Sequence, residues 1–444
     1  MKDNYVDTLE RLLRDFRERP LPELTPRDVE LPLLPRKATV VVGMRRAGKT
    51  FALYQEMRRL LDSGVEPGAI LYVNFEDDRL QPMPVEILDG LLETFYRLQP
   101  SARTAGAFIF LDEIQVVEGW SRFVRRVLDT EDVALYVSGS SAKMLSTEVA
   151  TEFRGRGFAV ELLPFSFREA LRHQGIEIPT APPGARGRSR LEARTLRYLE
   201  EGGFPEVQGL DPRIRIQILQ NYVELVLLRD VVERHSVSNV GAARAFTQAV
   251  LQASGGRFSV NKAYNDLRSR GVEVGKDTLH ALFDHLTDAF LVFGIQVFRR
   301  SLRARQVNPR KVYAVDPGLA YATSYAAATD LGARLETAVY LELRRRIGPA
   351  GESAISYYVT EGGREVDFVV GDVASSVATE LVQVCADLSD PSTKERETRA
   401  AYEAMGELGL PRLTMVTLHQ GGTETSSEGV IRIVPAWRWL LGLE

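Results

Sequence analysis

A β-branched run that breaks into a glycine-bounded loop and then directly into an amphipathic helix leaves a chain few ways to fold, and residues 39–64 form such a stretch. Thr39-Val40-Val41-Val42 reads as a buried strand. Gly43-Met44-Arg45-Arg46-Ala47-Gly48-Lys49-Thr50 satisfies the pattern GxxxxGK[ST], and Phe51, Leu53, Tyr54, Met57, Leu60 and Leu61 mark a helix placed to end at Gly64. The glycines let consecutive backbone N–H groups wrap a phosphate, and the helix N-terminus adds partial positive charge. Lys49 then reaches the β/γ oxygens of a nucleotide, and the Thr50 hydroxyl ligates Mg²⁺. Gly43, Arg46, Ala47, Gly48, Lys49, Thr50 and Phe51 are therefore the candidate binders of ATP with Mg²⁺.

The chain has 444 residues, 44% hydrophobic and 26% charged, the composition of a soluble protein long enough for about three domains. Its apolar runs fall short of the ~18 residues a membrane span needs, and Met1-Lys2-Asp3-Asn4 does not open a signal peptide. A cytoplasmic protein without a membrane partner is expected. The single cysteine, Cys385, excludes an internal disulfide, and five scattered histidines argue against zinc, so any metal should be Mg²⁺ or Mn²⁺ on oxygen ligands. The net charge of −4 gives no global nucleic-acid footprint, so such contact must come from local patches. Arginine supplies 48 of the 56 basic residues, a bias that suits bidentate phosphate contacts but that codon bias would also produce.

Val6, Leu9, Leu12, Leu13 and Phe16 make an N-terminal amphipathic helix, joined by a proline-punctuated stretch from Pro20 to Pro35. Further apolar strands at Ile70–Phe75, Ala107–Leu111, Ala134–Val137 and Phe158–Leu163 alternate with helical patterns, as in a parallel sheet buried on both faces. Ligands of such a sheet sit at the carboxyl ends of the strands. One end carries Asp112-Glu113: Asp112 would hold Mg²⁺, and Glu113 would orient and polarise the attacking water. A second carries Ser138-Gly139-Ser140-Ser141, where Ser138 and Ser140 either sense the γ-phosphate or cap the next helix. Arg154 and Arg156 follow, as fingers for a neighbouring subunit's nucleotide or as partners of local acids.

Taken in order, Gly43–Thr50, Asp112-Glu113-Ile114-Gln115 with Trp120, Ser138-Gly139-Ser140, Arg154-Gly155-Arg156 with Pro164-Phe165-Ser166-Phe167, Gly202-Gly203-Phe204-Pro205 and Glu365-Val366-Asp367-Phe368 are distinctive. In that order the chain resembles the prokaryotic AAA-type ATPases that carry a C-terminal domain of unknown function related to the restriction-endonuclease fold. The resemblance spans nearly the whole chain and implies an AAA+ core, a helical lid, a winged-helix segment and a nuclease-like end. It also implies that Pro205 packs near the adenine base.

Pro179 to Arg190 reads as a solvated linker carrying Arg186, Arg188 and Arg190, followed by lid helices from Leu191 to His235, where Arg229 or Arg234 could act as a second arginine sensor. From Val240 the pattern changes. Helices at Ala242–Gln252, at Val260–Arg270 capped by Ser259, and after Asp277 precede strands Phe290–Phe298 and Lys311–Val315. This is a winged helix-turn-helix outline. Its wing, residues 299–311, holds six basic residues and no acid, so Arg299, Arg300, Arg303 and Arg305 could neutralise DNA phosphates while Lys276 opens the recognition helix. The same outline also serves protein docking, and charge runs are often only solvated faces.

The last stretch begins with a helix carrying Glu336, followed by strands at Ile355–Thr360, Arg364–Gly371 and Thr379–Cys385, a helix Thr393–Leu408 and a strand Arg412–Leu418. This order resembles the PD-(D/E)xK nucleases, in which a helix glutamate, a strand aspartate and a (D/E)xK pair hold Mg²⁺ and activate water. Glu336 and Asp367 match, but Gln383 and Cys385 replace the expected acid and lysine. Glutamine still offers a neutral oxygen, whereas a buried thiol supplies no cation.

The expected fold is thus α/β: an AAA+ P-loop NTPase core over 1–175, a helical lid over 176–238, a winged helix-turn-helix over 239–327 and a restriction-endonuclease-like domain over 328–444. The expected function is an ATPase, acting as a homo-oligomer with a hexameric ring as one form, that couples its nucleotide cycle to DNA, including branched DNA. The alternatives are a signalling or defence switch that docks a protein, and an ATP-dependent nuclease.

Overall fold

The computed structural model describes residues 2–83, 86–142, 155–323, 330–348 and 354–443. It divides into two compact units, Met1–Leu162 and Leu163–Glu444.

The first unit is built on a five-stranded sheet of β1 (Ala38–Val42), β2 (Ile70–Asn74), β3 (Ala107–Asp112), β4 (Val133–Gly139) and β5 (Gly157–Glu161), ordered β2-β3-β4-β1-β5 and parallel throughout. Every residue of β1 is buried because the strand lies between β4 and β5 with both faces covered, which is why its sequence shows no polar alternation. Phe110 and Tyr136 stack across the sheet with ring centroids 4.6 Å apart, and Leu53, Met57 and Leu60 of the helix Lys49–Asp62 pack into the same core. Gly43 is required by close approach: a Cβ there would lie 2.1 Å from the Leu162 carbonyl oxygen, at φ +155°.

In the second unit, helices Ala185–Glu201 and Pro212–Val226 come first, the latter running on into a π-helical segment, Leu227–Glu233. The first of these corrects the linker expectation: Arg186, Arg188 and Arg190 lie on helical turns. Gly202 ends that helix at φ +73° with a Cβ position 1.9 Å from Asp316 Oδ1, and the Gly203 N–H donates to Asp316 Oδ2 at 2.6 Å. The Gly-Gly-Phe-Pro motif is thus shaped by a buried aspartate, which the sequence reading did not connect with it.

Helices Val240–Gln252, Val260–Ser269 and Lys276–Asp288 follow, and the Ser259 cap is present, accepting from the Lys262 N–H at 3.4 Å. The third helix starts after Gly275 rather than at an Asp277 cap. A small antiparallel sheet, β6 (Gly256–Phe258), β7 (Val292–Ile295) and β8 (Arg310–Ala314), is ordered β6-β8-β7. Between β7 and β8 the expected wing contains a short helix, Leu302–Val307, capped by Ser301. Serine as N-cap followed by Leu-Arg-Ala-Arg-Gln, all good or tolerable helix formers, explains that outcome.

A six-stranded mixed sheet closes the unit: β9 (Ile355–Val359), β10 (Glu365–Asp372), β11 (Val377–Val384), β12 (Arg412–Thr417), β13 (Gly422–Ser426) and β14 (Gly429–Pro435), in the order β13-β14-β12-β11-β10-β9. Helix Pro391–Leu408 covers one face through Ala401, Ala404 and Met405 against Val366, Leu381 and Met415. The β10–β9 register shifts between Val366 and Val369; both valines enter that core, while Phe368 packs on Tyr313 and Tyr340. Such an irregularity re-aims the side chains between the two valines, Asp367 among them. Among the described residues no helix is long and apolar enough to cross a membrane.

Candidate functional site

At the carboxyl ends of β1, β3 and β4 the structure brings Gly43, Lys49, Thr50, Asp112, Glu113, Ser138 and Ser140 together. Thr50 Oγ1 donates to Asp112 Oδ2 at 2.7 Å, and the Ser138 hydroxyl donates to the other Asp112 oxygen. Asp112 is fully buried; burial, with the adjacent Glu113 charge, pushes its carboxyl above the ordinary value, against hydrogen bonds from Ser138 and Thr50. A buried carboxylate beside a hydroxyl, both hard oxygen donors, fits Mg²⁺.

Lys49 is 4% exposed, with Nζ 3.1 Å from Glu113 Oε1 and donating to the carbonyls of Gly43 (3.2 Å) and Met44 (3.4 Å). Burial alone would raise the Glu113 carboxyl, but the Lys49 ammonium, the Gln115 amide and Arg45 outweigh it and hold it below its usual value. Glu113 is therefore an ionised base at neutral pH. Its backbone is left-handed (φ 52°), its N–H donates to Ser138 Oγ at 3.0 Å, and Gln115 Nε2 donates to its Oε2 at 2.6 Å and to Ser140 Oγ at 3.4 Å. Ser138 and Ser140 thus tie the β4 end to the acid pair.

Two residues of this site escaped sequence reasoning. Tyr72, on the edge strand β2, donates from its hydroxyl to Asp112 Oδ2 at 3.0 Å and accepts from Tyr54 at 3.2 Å. Arg27 donates to the Ala47 carbonyl at 3.0 Å and so props the phosphate loop from the proline-rich stretch. Nothing but strand register could have aimed Tyr72 at Asp112. Of the remaining candidates, Arg46 and Phe51 are exposed, Arg156 forms a surface ion pair with Asp129, and Arg154 lies outside the described residues. Pro205 opens a short 3-10 helix in the second unit, where Arg229 pairs with Glu233 and Arg234 with Asp230.

A second polar cluster forms where β8, β10 and helix Leu331–Ile347 meet. Glu336 and Asp367 converge there, joined by Glu365, by Tyr313, whose hydroxyl donates to Glu336 Oε1 at 2.7 Å, and by Lys311. Lys311 is therefore not part of a solvated wing: it is 2% exposed, and its Nζ contacts all three carboxylates. Burial, together with Asp367, pushes the Glu336 carboxyl up to about 8. The Gln383 oxygen is engaged, accepting the Asp367 N–H at 3.0 Å, while its Nε2 donates to Glu397 Oε2 at 2.7 Å. Burial pushes the Cys385 thiol up to about 11, so it is neutral.

The basic segment is also corrected in part. Arg299 donates to the Val359 carbonyl at 2.7 Å and lies over the Tyr358 ring, whereas Arg300 and Arg303 are exposed. Arg305 and Arg310 line a cleft of about 420 Å³ facing His280 and Phe283 of helix Lys276–Asp288, whose Lys276 is exposed. Nor are the histidines all scattered: His235 and His285 stack with centroids 3.6 Å apart at 8°, and with Asp288 their ligand atoms fall within 4.8 Å of one another. An ion on both ring lone pairs would have to lie in both ring planes, and parallel rings at that separation share none.

The parallel sheet and the loop-helix-acid arrangement define a P-loop ATPase core of the AAA class, and the family model described as "AAA domain" matches residues 35–171. A second model, "Domain of unknown function (DUF8612)", matches residues 193–330. The chain belongs to the same family as the uncharacterized protein MJ1544 of Methanocaldococcus jannaschii, with 32% identity over 426 residues, covering 94% of this chain and 90% of that relative. An uncharacterized protein of Haemophilus influenzae is 28% identical over 334 residues, or 74% of this chain and 78% of its own length. Among solved structures, a Walker-type ATPase of Pyrococcus abyssi aligns over 73% of this chain and 95% of that one at 13% identity and a TM-score of 0.41, a likeness from which nothing further follows.

Proposed function

We propose that the protein hydrolyses ATP with Mg²⁺ and uses the nucleotide cycle to gate engagement of DNA. The observation that carries the first half is the convergence of Lys49, Thr50, Asp112 and Glu113 at the carboxyl end of the parallel sheet. Thr50 and Asp112 would hold Mg²⁺, which when bound neutralises charge on the phosphates. Lys49 would leave Glu113 for the β/γ oxygens, and the freed Glu113 carboxylate would orient water. Ser138 and Ser140 keep that carboxylate positioned through its own N–H and through Gln115.

The DNA half rests on the second unit. A winged helix-turn-helix reading of residues 239–327 is supported by three helices and a small antiparallel sheet whose first strand, β6, falls between the first two of them, and exposed Arg300, Arg303 and Lys276 lie on the elements that such a module presents to phosphates. The cleft lined by Arg305, Arg310 and His280 adds two further guanidinium groups. A nuclease-like reading of residues 328–444 is supported by the helix-strand order and by the meeting of Glu336 with Asp367. The four-part division and a homo-oligomeric assembly belong to the same proposal.

ATP turnover measured with and without single-stranded, duplex and four-way DNA over a salt series tests it. Stimulation that fades with salt is expected. DNA-independent turnover without salt-sensitive binding would favour the protein-docking switch.

A further inference from the structure

In the nuclease-like reading Glu336 and Asp367 are metal-holding acids, and the lysine expected two residues after Gln383 is missing. The structure places a lysine among those acids from elsewhere. Strand period two puts Lys311 and Tyr313 of β8 on one face, and that face meets Glu336 and Asp367. An ammonium has three N–H donors, and each has its own carboxylate: Nζ lies 2.6 Å from Glu336 Oε1, 2.8 Å from Glu365 Oε1 and 2.9 Å from Asp367 Oδ1. The other Asp367 oxygen accepts the Val384 N–H at 2.8 Å, so its orientation is fixed from behind.

A Mg²⁺ or Mn²⁺ ion needs such oxygens at about 2.0–2.2 Å around one point. The point on which these three oxygens converge is where the nitrogen stands. An ion cannot share it, and the ammonium, almost fully buried, has no solvent-facing position to move to without leaving its charge unpaired. A lysine that helps activate water in metal-dependent hydrolysis must stand beside the ion with a donor to spare. Lys311 has none to spare.

We propose that the Lys311 ammonium is the resident cation of this carboxylate cage and takes the place of a divalent metal. The C-terminal domain then performs no metal-dependent hydrolysis at these acids, and the lysine ties β8 to β10 and to helix Leu331–Ile347. This rests on reading Glu336 and Asp367 as metal-holding positions.

Mn²⁺ titration of the full chain without nucleotide, followed by electron paramagnetic resonance, tests both. Wild type and Asp367→Asn are expected to bind equal numbers of Mn²⁺, any ion at Asp112 being common to them. Lys311→Ala is expected to gain one ion per chain, lost again when Asp367→Asn is added. Lys311→Met, which keeps the packing of the stem, serves if the alanine variant does not fold, and the wild-type comparison needs no lysine variant. One extra ion in wild type over Asp367→Asn would overturn the sealed cage while leaving the metal-holding reading of the acids intact. Failure of both folded lysine variants to gain an ion would instead remove that reading, and the inference with it.

Discussion

Among the described residues two buried lysines face carboxylates, and they are held in opposite ways. Lys49 opens a helix beneath a glycine loop and meets one acid, Glu113, together with two loop carbonyls 3.2 and 3.4 Å away. Lys311 lies inside a strand and meets three acids within 2.9 Å. The first arrangement is a resting contact that a triphosphate can replace with stronger ones, because the partner phosphates bring more charge than the acid they displace. The second is complete in itself. The same pair of groups can therefore serve turnover or cohesion, depending on whether the cation retains an alternative partner.

Removing Lys311 should produce the largest loss of stability. Three acids left without their cation amount to a broken buried ion pair, so Lys311→Ala should cost about 3–5 kcal/mol in denaturant unfolding of the second unit. Replacing the lysine by methionine and the acids by Gln, Gln and Asn together should restore most of it, because neutral groups carry no comparable desolvation cost. A near-zero cost for the single substitution would break the contrast with Lys49.

For the basic segment the structure sharpens what the sequence grouped. Arg300 and Arg303 are exposed while Arg299 is occupied by Val359 and Tyr358, so alanine at the first two should each lower the log–log salt slope of DNA binding by roughly 0.9. Arg299→Ala should change it least. Equal slopes for all three would place the phosphate contacts elsewhere.

Tyr72→Phe removes one of the donors to Asp112 and should cost about 0.5–1.5 kcal/mol. The loss should be smaller with Mg²⁺ and nucleotide bound, which give Asp112 a cationic partner; urea titrations with and without them read the difference.

Stability should also depend on pH. Glu336 titrates at about 8 in the native state and from 4.5 in the unfolded chain, so the native state holds the extra proton between those values. Buried Asp316 acts in the same sense from 3.8 to about 6. Stability should thus fall as pH rises across the interval and level off above it. Unfolding midpoints at pH 5, 7 and 9 check the sign, and Glu336→Gln should flatten the upper part.

The phosphate loop, the acid pair after β3 and the parallel sheet were legible in the sequence because each is local: a spacing, a strand end, an unbroken apolar run. Lys311 was not, since a lysine in a run of arginines reads as solvated, and only the alternation Lys311, Tyr313 along β8 hinted at a shared buried face. The β13–β14 hairpin was missed because Gly-Thr-Glu-Thr-Ser carries no apolar alternation. Asp316 and Tyr72 act through tertiary contacts to Gly203 and Asp112, across 113 and 40 residues of chain, which no window reveals.

The most direct measurement is phosphate release by Glu113→Gln, with ATP binding followed in the same samples and Lys49→Ala alongside. On the proposed roles, in which Glu113 orients water and Lys49 holds the nucleotide, Glu113→Gln should keep ATP and lose turnover by about 10²–10⁴-fold, while Lys49→Ala loses both. Wild-type phosphate release by Glu113→Gln would contradict the assignment of this acid, and with it the claim that the Lys49–Glu113 contact is a poised one.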